Sequence, residues 1–171
     1  IHNMPDILDV RTMMDIIRAL GGSVEYSDNT AVIDASNLAT GVIPRELCAK
    51  ARTSILFAAP LVARLGEALL YPPGGDVIGR RRLDGHFYGL ERLGAVLDSS
   101  NNAYAFKLSG ERLVGRDLFL DEASVTATEQ IMMAAVLAEG HTTLINAACE
   151  PHVVDLGEML NKMGMRECLQ L

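Results

Sequence analysis

The residues best suited to chemistry stand close together. The segment Tyr71-Pro72-Pro73-Gly74-Gly75-Asp76-Val77-Ile78-Gly79-Arg80-Arg81-Arg82-Leu83-Asp84-Gly85-His86 places two prolines and two glycines before a carboxylate. A third glycine, three arginines, another carboxylate and a histidine follow. Guanidinium groups grip phosphate or carboxylate oxygens in pairs through a planar fork, and glycines let a loop close over a bound molecule. One reading is a mobile loop that presents an acid beside an anion site. The other is a surface turn with a solvated basic patch. Arg52 is a second cation of interest because it opens an apolar stretch, where a charge needs a partner; an ion pair with an acid is the plain alternative.

Two further segments could touch a ligand. In Leu120-Asp121-Glu122-Ala123-Ser124-Val125-Thr126-Ala127-Thr128-Glu129, Thr126 and Glu129 have the spacing of a capping box. The helix start behind Ser124 offers free N–H groups for an anion or a carbonyl oxygen; a plain N-cap explains the same pattern. Asn146-Ala147-Ala148-Cys149-Glu150-Pro151 reads as a loop between strand and helix, with Glu150 expected to cap the helix. Cys149 and His152 have half the spacing of a zinc site, but the chain has no second half, so ordinary thiols and a solvent-facing histidine are expected and no metal is assigned. Cys48, Cys149 and Cys168 are odd in number and widely spaced, which fits a reducing cytoplasm better than a disulfide framework.

Helices, hairpins and buried segments must position these residues, and the chain repeats them. Amphipathic helices over Val10 to Leu20, Tyr88 to Leu93 and Val153 to Met163 each stop at a glycine, Gly21, Gly94 and Gly164. After the first comes the hairpin Val24-Glu25-Tyr26, Ser27-Asp28-Asn29, Ala31-Val32-Ile33. After the second, Val96-Leu97 leads through Ser99-Ser100-Asn101-Asn102 to Tyr104-Ala105-Phe106. The third copy is cut short near Leu171. Two helices apolar on most faces, beginning at Thr53 and Thr128, read as interior helices, and Pro60 should kink the first. The expected fold is α/β (α+β), built of pseudo-symmetric units with buried helices. It forms one domain over residues 1–171 with no internal linker.

Composition narrows the class. The chain has 171 residues, 49% of them apolar and 22% charged, with no tryptophan and a formal net charge of −7. That predicts an aliphatic core and argues against a nucleic-acid surface. The uncharged run Ser54 to Ala63 ends at Arg64, too short to cross a bilayer, and Ile1 to Asp6 does not read as a signal peptide.

Taken together, the segments resemble the enolpyruvyl transferases that act on UDP-N-acetylglucosamine. Asn3-Met4-Pro5, Asp9-Val10, Arg52-Thr53-Ser54-Ile55 and Pro60-Leu61-Val62-Ala63-Arg64 carry the likeness first. It continues through Pro73-Gly74-Gly75, Ile78-Gly79, Leu90 to Gly94, Ser124-Val125, Ala127-Thr128 and Leu137-Ala138-Glu139-Gly140. Asn146-Ala147-Ala148, Glu150-Pro151 and Val154-Asp155 complete it. The resemblance implies one lobe of an inside-out α/β barrel with three βαβαββ-type pseudo-repeats, the first and last incomplete here, and a partner lobe not in this chain. It also implies transfer of the enolpyruvyl group of phosphoenolpyruvate to the 3-hydroxyl of UDP-N-acetylglucosamine with loss of phosphate. That is an early step of peptidoglycan precursor synthesis in the cytoplasm, and it needs no cofactor.

Carried over by position, Asp76 takes the loop site usually held by cysteine, linked to protonating the enolpyruvyl carbon or to product release. Arg81 aligns with an arginine that contacts the phosphate and the UDP-sugar, and Arg52 with one that holds the sugar nucleotide. Arg82, Leu83, Asp84 and Gly85 fall where the family touches the uridine end; Glu122, Ala123, Ser124 and Val125 fall on its second nucleotide contact. Arg82 stands for a usual proline, Glu122 for a common lysine, Thr126 for a glycine and Cys149 for an arginine, departures that bear on which nucleotide is held. Without the loop thiol, resistance to the epoxide fosfomycin is expected. Two other classes stay open: a diverged non-catalytic paralogue or nucleotide-binding lobe, and a transferase with a different acceptor.

Overall fold

The computed structural model describes residues 1–75 and 82–164. Helix α1 (Leu8–Ala19) buries Met14 and Ile16 and ends before Gly21, whose φ is +100°. The hairpin β1 (Ser23–Ser27) and β2 (Thr30–Asp34) follows, with Ser23 opposite Asp34. Its turn is carried by Asp28 and Asn29, both at positive φ, a conformation their short polar side chains tolerate.

The middle of the chain holds one full repeat. Val42 makes a parallel bridge to Leu69. A short α2 (Arg45–Cys48) leads to a 3₁₀ segment over Arg52–Phe57 and then to α3 (Ala58–Leu65). Strand β3 (Glu67–Leu70), helix α4 (Asp84–Arg92) and strands β4 (Ala95–Asp98) and β5 (Tyr104–Leu108) complete it. The sheet order is β3-β5-β4, antiparallel throughout. The next repeat starts the same way: β6 (Asp117–Phe119), α5 (Val125–Ala135), β7 (Thr143–Ile145) and α6 (Pro151–Lys162), with β6 and β7 parallel and Val114 bridging Glu139.

Helices α3 and α5 lie inside, whereas α1, α4 and α6 each bury only one face. Ala58, Ala59, Leu61 and Val62 of α3 and Ala127, Ile131 and Ala134 of α5 are buried in the core. Val32, Val96, Phe119 and Ile145 point outward from their strands. Small residues let α3 and α5 approach their neighbours closely, and aliphatic contacts fill the rest of the interior. A second, smaller cluster of Met132, Ala148, Val153 and Leu160 joins α5 to α6. Helices α4 and α5 meet at Gly89, where an added Cβ would lie 2.4 Å from Cγ1 of Ile131.

Four local expectations are corrected. Pro60 does not kink one continuous helix. The chain winds as 3₁₀ up to Phe57, and Pro60 falls in the first turn of α3, where its missing N–H would have no partner inside the helix anyway. Helix α4 begins at Asp84 rather than Tyr88, so Asp84, Gly85 and His86 form its first turn instead of a loop. The cap of α5 is Ser124, whose side chain accepts from the Ala127 N–H at 3.4 Å; Thr126 is already inside the helix. Glu150 does occupy the N-cap position of α6, but its side chain makes no capping bond, and Pro151 follows as the first helical residue.

Candidate functional site

Three stretches far apart in sequence meet at one cleft. It has a volume of about 340 Å³ and is lined by Arg52, Arg82, Asp84, Gly85, His86 and residues 121–126. Arg52 opens the 3₁₀ segment, Arg82 to His86 lead into α4, and residues 121–126 run from the end of β6 into α5. The buried packing of α4 on α5 and of α3 on α5 holds these three starts side by side.

The cation side is built from Arg52 and Arg82. Arg52 donates from Nη2 to the carbonyl oxygen of Arg82 at 3.1 Å, which joins the 3₁₀ start to the α4 start. Arg82 forms an exposed ion pair through Nε with Asp84. Across from them, the start of α5 leaves the Val125 and Thr126 amides without acceptors inside the helix. Asp121 and Glu122 add two exposed carboxylates. The cleft therefore offers guanidinium and amide donors for anionic groups together with acceptors for N–H or O–H groups.

The loop leading toward Asp76 is held at its base. Tyr71 lies under the Arg45 guanidinium, 4.5 Å from ring centroid. Gly74 donates its N–H to the Cys48 carbonyl at 2.9 Å, and an added Cβ there would sit 1.7 Å from the Ala49 carbonyl oxygen. Only glycine fits against the end of α2 at that point.

Of the residues singled out from sequence, Arg52, Arg82, Asp84, Gly85, Glu122, Ala123, Ser124 and Val125 come together at the cleft. Leu83 does not line it: the side chain is buried in the main core, because it anchors the start of α4. Asp76 and Arg81 lie outside the described residues. Cys149 is exposed, and among the described residues no cluster of three or more His, Cys, Asp and Glu could hold a metal ion.

His86 was not assigned a role from sequence. Its side chain is 1% exposed, with Nδ1 at 2.6 Å from Oε1 of Gln130 and Nε2 at 3.1 Å from Oγ1 of Thr126. A signal existed: Thr126 and Gln130 are four residues apart and share one face of α5. Burial pushes the His86 pKa down to about 4; the hydrogen bond to Gln130 works against that shift and the charge of Arg52 adds to it. The imidazole is neutral at pH 7.

A pH dependence follows. The unfolded chain takes up a proton on this imidazole below about 6.5, whereas the folded chain resists protonation until about 4. The contribution to stability is full above the unfolded value and is lost as pH falls. At pH 4.5 the loss is roughly 2–3 kcal/mol. Urea unfolding at pH 7.5 and 4.5 should show that extra acid sensitivity in the wild type and not in His86→Asn. An equal acid loss in both would remove His86 as the cause.

The profile of the family described as EPSP synthase (3-phosphoshikimate 1-carboxyvinyltransferase) matches residues 1–166. A Treponema denticola protein named UDP-N-acetylglucosamine 1-carboxyvinyltransferase is 52% identical over 97% of this chain and 38% of its own length. The protein of the same name from Treponema pallidum is 54% identical over 97% of this chain and 39% of its own. The chain thus spans well under half the length of the relatives it matches. Among solved structures, the enolpyruvyl transferase NikO from Streptomyces tendae superposes with a TM-score of 0.81 at 21% identity, over 95% of this chain and 38% of that one. EPSP synthase from Acinetobacter baumannii gives 0.67 at 18% identity, over 90% and 36%. These two likenesses concern the fold: one lobe of an enolpyruvyl transferase, with mixed helices and strands.

Proposed function

This chain belongs to the EPSP synthase (3-phosphoshikimate 1-carboxyvinyltransferase) family, and from that membership we propose that it is one lobe, residues 1–171, of an enzyme that moves the enolpyruvyl group of phosphoenolpyruvate onto the 3-hydroxyl of UDP-N-acetylglucosamine. The observation that supports this most is the cleft itself. Two stretches assigned to the nucleotide from sequence, Arg82 with Asp84 and Gly85, and Glu122 to Val125, line one cleft with Arg52, which is bonded to the Arg82 carbonyl.

The reaction sets the demands. The acceptor oxygen bonds to the central carbon of phosphoenolpyruvate while a proton reaches its methylene carbon. Phosphate then leaves with the C–O bond electrons, and loss of a proton from the former methylene restores the double bond. Cations must hold the phosphate and carboxylate, and water must be kept out. Arg52 at the described end of the cleft serves the nucleotide. Arg81 is assigned to phosphate and nucleotide, and Asp76 to protonation or product release, by their positions in the sequence. The second lobe, absent from this chain, is assigned the facing wall. Phosphorylated metabolites as substrates favour a cytoplasmic enzyme acting on small molecules. Among the described residues no helix is long and apolar enough to cross a membrane.

Glu122 favours the second reading, a different acceptor or a nucleotide-binding paralogue without catalysis, because it brings a carboxylate to a cleft meant for an anionic ligand. Calorimetry and phosphate release on the complete two-lobe protein separate the readings. UDP-N-acetylglucosamine should bind, and with phosphoenolpyruvate it should liberate phosphate. Fosfomycin should fail to inactivate the enzyme with time, since a carboxylate attacks the epoxide less readily than a thiolate does. Binding without turnover would leave the paralogue; no binding would leave another acceptor; a fosfomycin adduct on Asp76 would overturn the resistance.

A further inference from the structure

The stretch that leads out of β3 touches the start of the 3₁₀ segment at several points, and the proposed reaction gives those contacts no role. Residues 71–75 cross the end of α2. The Tyr71 ring packs against the main core, and the Arg45 guanidinium stands over its face, 4.5 Å from the ring centroid. Pro72 and Pro73 have no N–H to donate, which leaves Tyr71 and Gly74 to hold the stretch down. Gly74 donates its N–H to the Cys48 carbonyl at 2.9 Å, and the same carbonyl accepts the Ser54 hydroxyl at 3.4 Å. Ser54 is buried and belongs to the first turn of the segment that Arg52 opens. One oxygen thus ties residues 71–75 to that turn. Gly75 then passes over the Arg52 backbone: an added Cβ would lie 3.3 Å from the Arg52 nitrogen and 3.7 Å from its Cβ. Ala51, just ahead of Arg52, gives the turn no side-chain cap, so its placement depends on these neighbours.

We propose that Tyr71 and Arg45 are positioning residues for the cleft: their stacked pair holds residues 71–75 on the end of α2, and Gly74 and Gly75 in turn fix where the Arg52 side chain enters the cleft. Neither Tyr71 nor Arg45 lines the cleft; each acts through Arg52. The contacts run from Arg45 over Tyr71, through Gly74 on Cys48 and Gly75 on Arg52, to the Arg52 Nη2 on the Arg82 carbonyl at 3.1 Å. A guanidinium that holds a backbone carbonyl and also serves an anionic group has a planar fork with little angular tolerance. A small shift of its backbone therefore misdirects it. A pair that only supports the fold would behave differently. Its loss would cost stability whatever stands at position 52, whereas loss of a positioning contact costs ligand affinity only while Arg52 is present. The choice of ligand rests on the reaction proposed above; the link from Tyr71 to Arg52 does not.

The test uses the complete two-lobe protein in two measurements. In steady-state kinetics with UDP-N-acetylglucosamine, Tyr71→Leu and Arg45→Gln should each raise KM about two- to fivefold, the factor carried by one exposed cation–π contact, with kcat changed less. The double variant should be no worse than either single one. Tyr71→Phe and Arg45→Lys, which keep a ring face and a cation over it, should stay near wild type. On an Arg52→Ala background, Tyr71→Leu should raise KM no further. An unchanged KM in both single variants, or the same factor persisting without Arg52, overturns the proposal. Arginine side-chain nitrogen NMR is the second readout. The Arg52 signal, identified by its loss in Arg52→Ala, should move in Tyr71→Leu and Arg45→Gln and stay in place in Tyr71→Phe; a signal unmoved in all three overturns the proposal. Arg45 is exposed, so Arg45→Gln carries both measurements if Tyr71→Leu unfolds. If the wild type neither binds nor turns over the sugar nucleotide, the proposed reaction fails and the Arg52 signal alone decides: a moved signal keeps the inference, an unmoved one ends it.

Discussion

Phe106→Ala is expected to destabilise the protein by about 3–5 kcal/mol, the range for emptying a fully buried aromatic site. Phe106 is 0% exposed and sits on β5, the middle strand of its sheet, opposite Ala68 on one side and Leu97 on the other. Its ring also faces that of Phe87 on α4, at 6.0 Å between centroids, and Phe87 in turn meets Tyr104 at 4.9 Å. In a chain without tryptophan, this side chain does the work of several aliphatic ones, and the small Ala68 beside it cannot expand into the gap. Set against a typical total of about 5–15 kcal/mol, the loss is a large share. The urea midpoint is the measure. Phe106→Leu, which keeps most of the volume, should lose clearly less. A change under about 1 kcal/mol for the alanine variant would mean the sheet collapses onto the cavity and that the core is not as tightly packed as described.

Arg52→Ala should reduce kcat/KM for enolpyruvyl transfer by about tenfold to a hundredfold in the complete protein, the scale of one lost hydrogen bond to a charged group. The side chain has two jobs in the described structure: its Nη2 holds the Arg82 carbonyl at 3.1 Å, and its charge lies close enough to His86 to help keep that ring neutral. Arg52→Lys should restore little, because an ammonium cannot grip a backbone carbonyl and an anion with one planar fork. Thermal unfolding should move only slightly in either variant, since Arg52 lies at the cleft and not in the core. A large loss of folding stability would show that the residue is structural, and full activity in Arg52→Lys would show that its charge alone suffices without the planar fork.

Much of this arrangement was legible in the sequence because local chemistry and tertiary demand agree. The helix stops at Gly21, Gly94 and Gly164 fall where positive φ is needed, at +100°, +109° and +97°, and the hairpin after Gly21 follows its polar turn. The interior helices announced themselves by being apolar all round. What escaped was set by contacts between distant segments. Nothing near Leu83 says that it turns inward while Asp84 and Gly85 face the cleft. Thr126 looked like a capping residue until the true cap at Ser124 left its hydroxyl to His86. Pro60 looked like a kink because the 3₁₀ winding before it has no strong local signature. His86 carried no local motif: its partners lie on α5, 40 and 44 residues further along the chain, and the packing of α4 on α5 brings them together.

That packing has a mechanical side. Gly89 leaves no slack between α4 and α5, as an added Cβ would fall 2.4 Å from the Ile131 side chain, and dense interiors transmit displacement instead of absorbing it. The first turns of these two helices carry opposing walls of the cleft. The spacing between those walls is therefore set by the helix packing beneath them, so a bulkier residue at Gly89 would alter the cleft without touching it.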